Sequence, residues 1–155
     1  MGVPPLYSET NEIFSKDLSK TDVGVRLSFP MKALKLFQFL EGENKMEFEA
    51  ADGIGKRWRF GLSKRKARHS KFHPKPVLSS GWLAYVKAKG LQTKDRFVLY
   101  GDLDNLSTKK RFRVRAQRKV RRPIKLFGKE IHVEEVWVDV EELEGLKREV
   151  SRSIL

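Results

Sequence analysis

The stretch KRWRFGLSKRKARHSKFHPKPVLSSGW, residues 56–82, decides how the rest of the chain is read. Its first part alternates: over 57–62, Trp58, Phe60 and Leu62 fall on one side of an extended segment, and Arg57, Arg59 and Gly61 on the other. A run with Lys64, Arg65, Lys66, Arg68, His69, Lys71 and Lys75 follows, with no acidic residue in it. Like charges keep such a run from packing against itself, and it has almost nothing apolar to bury, so its natural counterpart is a polyanion. Ser79 and Ser80 then open a helix whose Trp82, Tyr85 and Val86 share a face. Trp58, Phe60 and Trp82 therefore read as core anchors, and the residues between them as an arm held out from the core.

Composition agrees. The chain has 155 residues, 39% of them apolar, enough to bury the core of one domain, or of one domain with an appendage. Its formal charge of +13 points to nucleic acid or another anionic surface as partner. No cysteine is present, which excludes disulfides, thiol catalysis and Cys-based zinc sites and fits a reducing compartment. The opening MGVPPLYSETNE lacks the apolar core of a signal peptide, and Leu6 stands where a myristoylation motif needs Ser or Thr. No apolar run approaches the ~20 residues of a membrane span, so a soluble intracellular protein without membrane contact is expected.

Outward from the central stretch, 13–18 (IFSKDL) reads as a strand and 19–24 as a turn, with Gly24 free to take positive φ. Alternation over 25–29 turns Val25, Leu27 and Phe29 inward from a second strand. Pro30 opens a helix over 31–40 that buries Leu34, Phe37 and Leu40. KMEFEAA at 45–51 alternates, with Met46, Phe48 and Ala50 inward, and forms a hairpin with 57–62 across the turn at 52–55. A helix over 80–89 is closed by Gly90. Strands follow at 96–100 and 110–117, separated by a polar turn at 102–108; the second buries Phe112, Val114 and Ala116 and turns Arg111, Arg113 and Arg115 outward. The whole suggests a compact, mainly antiparallel α+β barrel.

Beyond it, positive charge persists to Lys125 and acids dominate after Lys129. Residues 124–133 read as a hairpin turning at Gly128-Lys129, 136–140 as a further strand and 141–155 as a terminal helix. The expected division is a leader at 1–11, a domain at 12–118 and a basic-then-acidic extension at 119–155.

In order and spacing, IFSKDLSKTDVG, RLSFP with its helix, KRWRF and LSSGWLAYVKAKGLQTKDRFVLYG resemble the plant B3 DNA-binding domain. Ser80-Gly81-Trp82, then Tyr85-Val86-Lys87 and the turn from Gly90-Leu91 to Asp95, are its most specific part. The resemblance covers residues 13–116 and implies an open, seven-stranded antiparallel pseudobarrel with two short helices. It implies a nuclear transcription factor that grips double-stranded DNA in the major groove between an N-arm at 16–26 and a C-arm at 57–75, without catalysis, metal or cofactor.

Carried over by position, the DNA-binding residues would be Lys16, Lys20, Thr21 and Arg26 from the N-arm. From the C-arm they would be Arg57, Arg59, Ser63, Lys64, Arg65, Lys66, Arg68, His69 and Lys71. Arg26, Arg65 and Arg68 carry the forked donors suited to base edges, whereas lysines suit phosphates. Asp22 either accepts from a cytosine amino group or braces its turn, and bracing is the favoured reading. Two departures concern readout. After Asp22-Val23-Gly24 the chain is two residues shorter than the Lys-Leu-Asn-Arg continuation common in the family, and SKRKARHSKFHPK replaces its aromatic-Asn-Ser-Ser segment.

Other classes are weighed beside this one. RNA or single strands would need aromatics exposed on a basic sheet for stacking, and here the aromatics fall on buried faces. Non-specific, phosphate-dominated binding is favoured by the dense C-arm. The acidic tail from Glu130 offers a surface for a protein partner, or a strip that folds back on the basic face. Lys109-Lys110 and 118–122 form a second basic cluster for which nuclear import and DNA are equal explanations. His69, His73 and His132 are scattered and lack carboxylates at ligand spacing, and phosphate-loop and serine-nucleophile patterns are missing, so neither metal nor enzyme is expected.

Overall fold

The computed structural model describes residues 12–64, 75–102 and 111–154. The chain runs β1 (Glu12–Asp17), α1 (Lys20–Gly24), β2 (Leu27–Ser28), α2 (Met31–Leu34), β3 (Lys45–Ala51), β4 (Arg57–Ser63), β5 (Val77–Leu78), α3 (Trp82–Lys89), β6 (Arg96–Asp102), β7 (Arg111–Leu126), β8 (Lys129–Asp139) and α4 (Val140–Ile154). One path of seven strands, β1-β6-β7-β3-β4-β5-β2, curls into an open pseudobarrel, and β8 pairs with β7 off this path. Every pairing is antiparallel except a short parallel contact of β3 with β7, Ala50↔Phe112 and Ala51↔Arg113.

Alternation explains the curl. Phe60 and Leu62 of β4, Leu27 of β2, Leu78 of β5 and Val114 and Ala116 of β7 are all fully buried, while Arg59, Ser28 and Ser79 beside them are exposed. The interior is largely aromatic. Phe37 stacks on Phe112 at 4.8 Å and meets Phe29 at 5.4 Å, and Trp82 meets Phe97 edge-on at 5.0 Å. Buried rings of this size each remove roughly 150–250 Å² from water, so these residues dominate the stabilisation of the barrel.

The mouth between the terminal strands of the path is closed by side chains. Lys16 of β1 reaches Asp22 of α1 at 2.9 Å and the Ser28 carbonyl of β2 at 3.2 Å. At the far side, Asp52 in the β3–β4 turn accepts from the Trp58 indole at 2.9 Å and from Lys89 at 2.6 Å. Lys89 also binds Glu141 at 2.6 Å, which ties α4 to α3. Val140, at the start of α4, is part of the core.

Several local expectations are corrected. Residues 20–24 form a capped helix where a turn was expected, and Gly24 does not take positive φ. The second strand is limited to Leu27–Ser28, and Val25 is exposed because it serves as the C-cap of α1 and not as a strand residue. α2 stops after Leu34, with Pro30 as its N-cap; the chain then turns so that Phe37 enters the aromatic core and Leu40 is left 79% exposed. α3 starts at Trp82, two residues later than expected. Asp102 belongs to β6, and the rest of the expected turn at 102–108 lies outside the described residues. The C-terminal hairpin turns at Phe127-Gly128, and its strands are much longer than expected: β8 takes in 136–139 of the segment read as a separate strand at 136–140, and Val140 begins α4. β7 runs without a break through Arg118-Lys119.

Candidate nucleic-acid interface

β2, β5 and β4 lie side by side, with Leu27↔Leu78↔Leu62 in one row and Ser28↔Val77↔Ser63 in the next. The leucine row is buried, so the second row lies on the outer face, whose side chains are small: Ser28, Val77, Ser63, Gly61 and the adjoining Ser80. Two glycines keep this face low. A Cβ on Gly61 would stand 2.7 Å from the Ser80 Cβ. Gly81 has φ +78° and a Cβ there would stand 2.1 Å from the Arg59 carbonyl oxygen, so only glycine lets the start of α3 lie against β4. The Ser80-Gly81-Trp82 sequence thus has a backbone reason.

The two arms leave this face from opposite ends. α1 and Arg26 precede Leu27, whereas Ser63 and Lys64 leave β4, and Lys75 enters β5, beyond Ser28. On the N-arm side, Ser19 caps α1: its hydroxyl accepts from the Asp22 amide at 3.2 Å, and Asp22 accepts from the Ser19 amide at 2.8 Å. Asp22 also accepts from the Ser28 amide at 3.2 Å. Its carbonyl receives the Trp82 indole at 2.6 Å, fastening the arm to the core. Burial alone would raise the Asp22 pKa; the Ser19 amide, Lys16, the Ser28 amide and the Ser19 hydroxyl outweigh it and hold the carboxyl below its ordinary value. Asp22 braces the arm.

Of the expected N-arm residues, Lys20 and Thr21 are exposed on the first turn of α1 and Arg26 is half-exposed. Lys16 is different, being engaged by Asp22 and Ser28. In the C-arm, Arg57 is exposed. Arg59 is 70% exposed, with a loose 3.4 Å ion pair to Glu47, and such surface pairs hold a side chain weakly. Ser63 and Lys64 are half-buried at the stem; the Lys64 amide donates to the Asn44 carbonyl at 2.9 Å and its ammonium lies 4.6 Å over the Phe39 ring. Arg65, Lys66, Arg68, His69 and Lys71 lie outside the described residues.

The family model of the B3 DNA binding domain matches residues 14–120. The chain belongs to the B3 DNA-binding domain family. This B3 domain is similar in structure to the Arabidopsis FUS3-DNA complex, with a TM-score of 0.53 and 26% identity over 66% of this chain and 95% of that one. It also shares its fold with the Arabidopsis transcription factor LEC2-DNA complex, with a TM-score of 0.53 and 19% identity over 65% and 89% of the two chains. No curated protein matches it.

Within the B3 domain, the outward arginines of β7 are not one class. Arg111 is exposed, but Arg115 donates to both Asp139 oxygens, at 3.0 Å from Nε and 3.0 Å from Nη2. Burial would lower the Arg115 pKa; Asp139 and Tyr100 raise it above its ordinary value, so it is fixed as a cation inside a pair. The second basic cluster is likewise partly occupied. Arg118 binds Asp95 and the Gly90 carbonyl, Lys119 pairs with Glu135, and Arg122 with Glu134. The acidic tail therefore folds back along β7.

Sequence reasoning missed Ser28 and Ser80 as parts of the face. Serines carry little signal, although the alternation around Leu27 and Phe29 already turned Ser28 outward. Among the described residues no group of three or more His, Asp or Glu side chains is arranged to hold a metal ion, and no helix is long and apolar enough to cross a membrane.

Proposed function

We propose that this B3 domain binds double-stranded DNA sequence-specifically in the major groove through its two arms, and that it regulates transcription in the nucleus without catalysis. The observation that carries this reading is the placement of the arm stems at opposite ends of the small-residue face of β2, β5 and β4. The steps from Arg26 to Phe29 span roughly 10 Å at ~3.3 Å per residue, on the scale of the ~12 Å major groove. A flat, low face lets the duplex approach, and the basic arms supply what the face lacks.

In this assignment Lys20, Lys64, Lys66, Lys71, Arg57 and Arg59 meet phosphates, Thr21, Ser63 and His69 add further hydrogen-bond donors, and Arg26, Arg65 and Arg68 read base edges. Lys16 acts one step back, through Asp22. The buried aromatics of the barrel support duplex over RNA or single strands, since stacking platforms need exposed rings.

Competition between duplex DNA and RNA of equal length at moderate salt, run for wild type and for Arg65, Lys66 and Arg68 changed together to Ala, tests the proposal. Wild type should prefer the duplex and the variant should lose most of its affinity. Intact affinity in the variant would sink the placement of the site, and preference for RNA would sink the ligand.

A further inference from the structure

β7 and β8 continue past the barrel as a two-stranded ribbon. β6 last pairs with β7 at Arg96↔Gln117, and from Arg118 to the turn at Phe127-Gly128 β7 pairs with β8 alone. Roughly nine residues at ~3.3 Å each carry the tip roughly 30 Å from the barrel. A ribbon of two strands is marginal in water by itself, and here its root and middle are held by charge. Arg96 lies 3.9 Å and Lys119 5.2 Å from the centre of the Trp137 ring, and Arg122–Glu134 and Lys119–Glu135 pair across the strands.

The outer part is built differently. Residues 123–133 carry Lys125 and Lys129 against Glu130, and over the whole ribbon, 118–138, six Lys or Arg stand against three acids. Arg121, Lys125 and Lys129 have no ion pair among the described residues, although Glu135 stands opposite Arg121 and Glu130 opposite Lys125 in register. At the tip Leu126 is 52% and Phe127 96% exposed. Phe127 and Gly128 take φ of 53° and 77°, the paired left-handed conformation of a tight hairpin turn, where Asn or Asp would be the easier residue before Gly. An aromatic is thus presented to solvent at a position that disfavours it, on a basic stalk. The family match ends at residue 120, so the outer ribbon lies beyond it. It leaves the barrel where the N-arm does: β1 ends at Asp17 opposite Arg96, which stands opposite Gln117, and α1 begins at Lys20.

We propose that the ribbon is a second duplex-DNA contact, outside the footprint of the arms: Arg121, Lys125 and Lys129 meet phosphates and Phe127 enters a groove as an apolar wedge. The inference rests on the duplex-DNA reading above. Basic charge supplies sequence-independent affinity through counterion release, and exposed apolar side chains inserted between base steps kink a duplex. A ribbon of this length reaches roughly nine base pairs at ~3.4 Å per pair, so the contact requires flanking DNA.

The test uses the full chain with duplexes of about 12 and about 32 base pairs, lengths set by that reach. Both are centred on the sequence that wild type enriches from a random pool, or of mixed sequence if none is enriched. Changing Arg121, Lys125 and Lys129 together to Ala should weaken binding to the long duplex at least about tenfold and flatten its salt slope by about 2–3, from ~0.9 per phosphate. The short duplex should be bound as by wild type. Phe127→Ala should reduce the bend of the long duplex, read by energy transfer between its ends, with the salt slope unchanged. Unchanged affinity and slope on the long duplex would overturn the ribbon contact, as would a variant that alters only self-association in ultracentrifugation. If the C-arm variant loses both duplexes while the ribbon variant binds like wild type, the ribbon proposal alone falls. Failure of wild type to bind either duplex would overturn both.

Discussion

Replacing Asp22 separates a bracing carboxylate from a base-reading one. Asp22 is 1% exposed and holds the Ser19 amide, the Ser28 amide and the Lys16 ammonium. Asp22→Ala removes the acceptor for all three and leaves Lys16 beside an apolar gap. Breaking a buried pair costs about 3–5 kcal/mol; since the Lys16 side chain keeps 29% exposure, the low end, about 3 kcal/mol, applies. For a chain of this size that lowers Tm by about 6–12 °C, at ~2–4 °C per kcal/mol. Asp22→Asn keeps an acceptor and loses the charge, and should cost about half as much. The sign of the pH dependence follows from the lowered pKa. The contribution is complete above the unfolded value near 3.8 and is lost as pH falls through the lower folded value, so the gap between wild type and Asp22→Asn should close in acid. Thermal unfolding followed by circular dichroism from pH 7 down to pH 3 reads both effects. A Tm for Asp22→Ala within ~2 °C of wild type at pH 7, less than one kcal/mol on that scale, would refute the reasoning, especially if the variant bound DNA with an altered sequence preference.

Gly81→Ala should destabilise by about 3 kcal/mol or more, from left-handed strain of ~1–2 kcal/mol and a backbone clash of ~1–3 kcal/mol; denaturant unfolding measures it, and a neutral outcome would contradict the close approach to Arg59. Arg115→Ala should cost about 3 kcal/mol by leaving Asp139 unpaired while changing duplex affinity at most twofold in a titration, because this arginine is committed to β8. Lys89→Met should lower stability by a similar ~3 kcal/mol, since Asp52 and Glu141 then face each other without a cation. The pKa of Lys89 is raised from 10.5, burial being outweighed by Asp52 and Glu141. Its contribution is therefore full below the unfolded value and fades only as pH rises through the folded one, and unfolding curves at pH 7 and pH 11 should show the gap narrowing.

Legibility in the sequence followed the strength of the local signal. The β3–β4 hairpin and α3 were plain, because strict alternation and a left-handed closing Gly90 have few other meanings. α1 was read as a turn, since five residues are too few to display a helical period; the Ser19–Asp22 spacing of a capping box was its only mark. α2 was read too long because Leu, Ala and Lys favour helix, whereas the demand of the aromatic core for Phe37 ends it after Leu34. Lys119 and Arg122 in the basic run at 118–122 looked free because their partners, Glu135 and Glu134, are distant in sequence and meet them only where β7 pairs with β8. Arg26, Lys20 and the stems of the C-arm could be placed by position, but a bracing role for Lys16 could not, because one cation beside a strand looks the same whichever partner it has.

Selection from random duplex DNA at two salt concentrations tests the central claim most directly. Wild type should enrich one short motif at both, and the variant with Arg65, Lys66 and Arg68 changed to Ala should enrich none. Recovery of no motif by wild type, or of the same motif by the variant, would contradict sequence-specific binding through the arms.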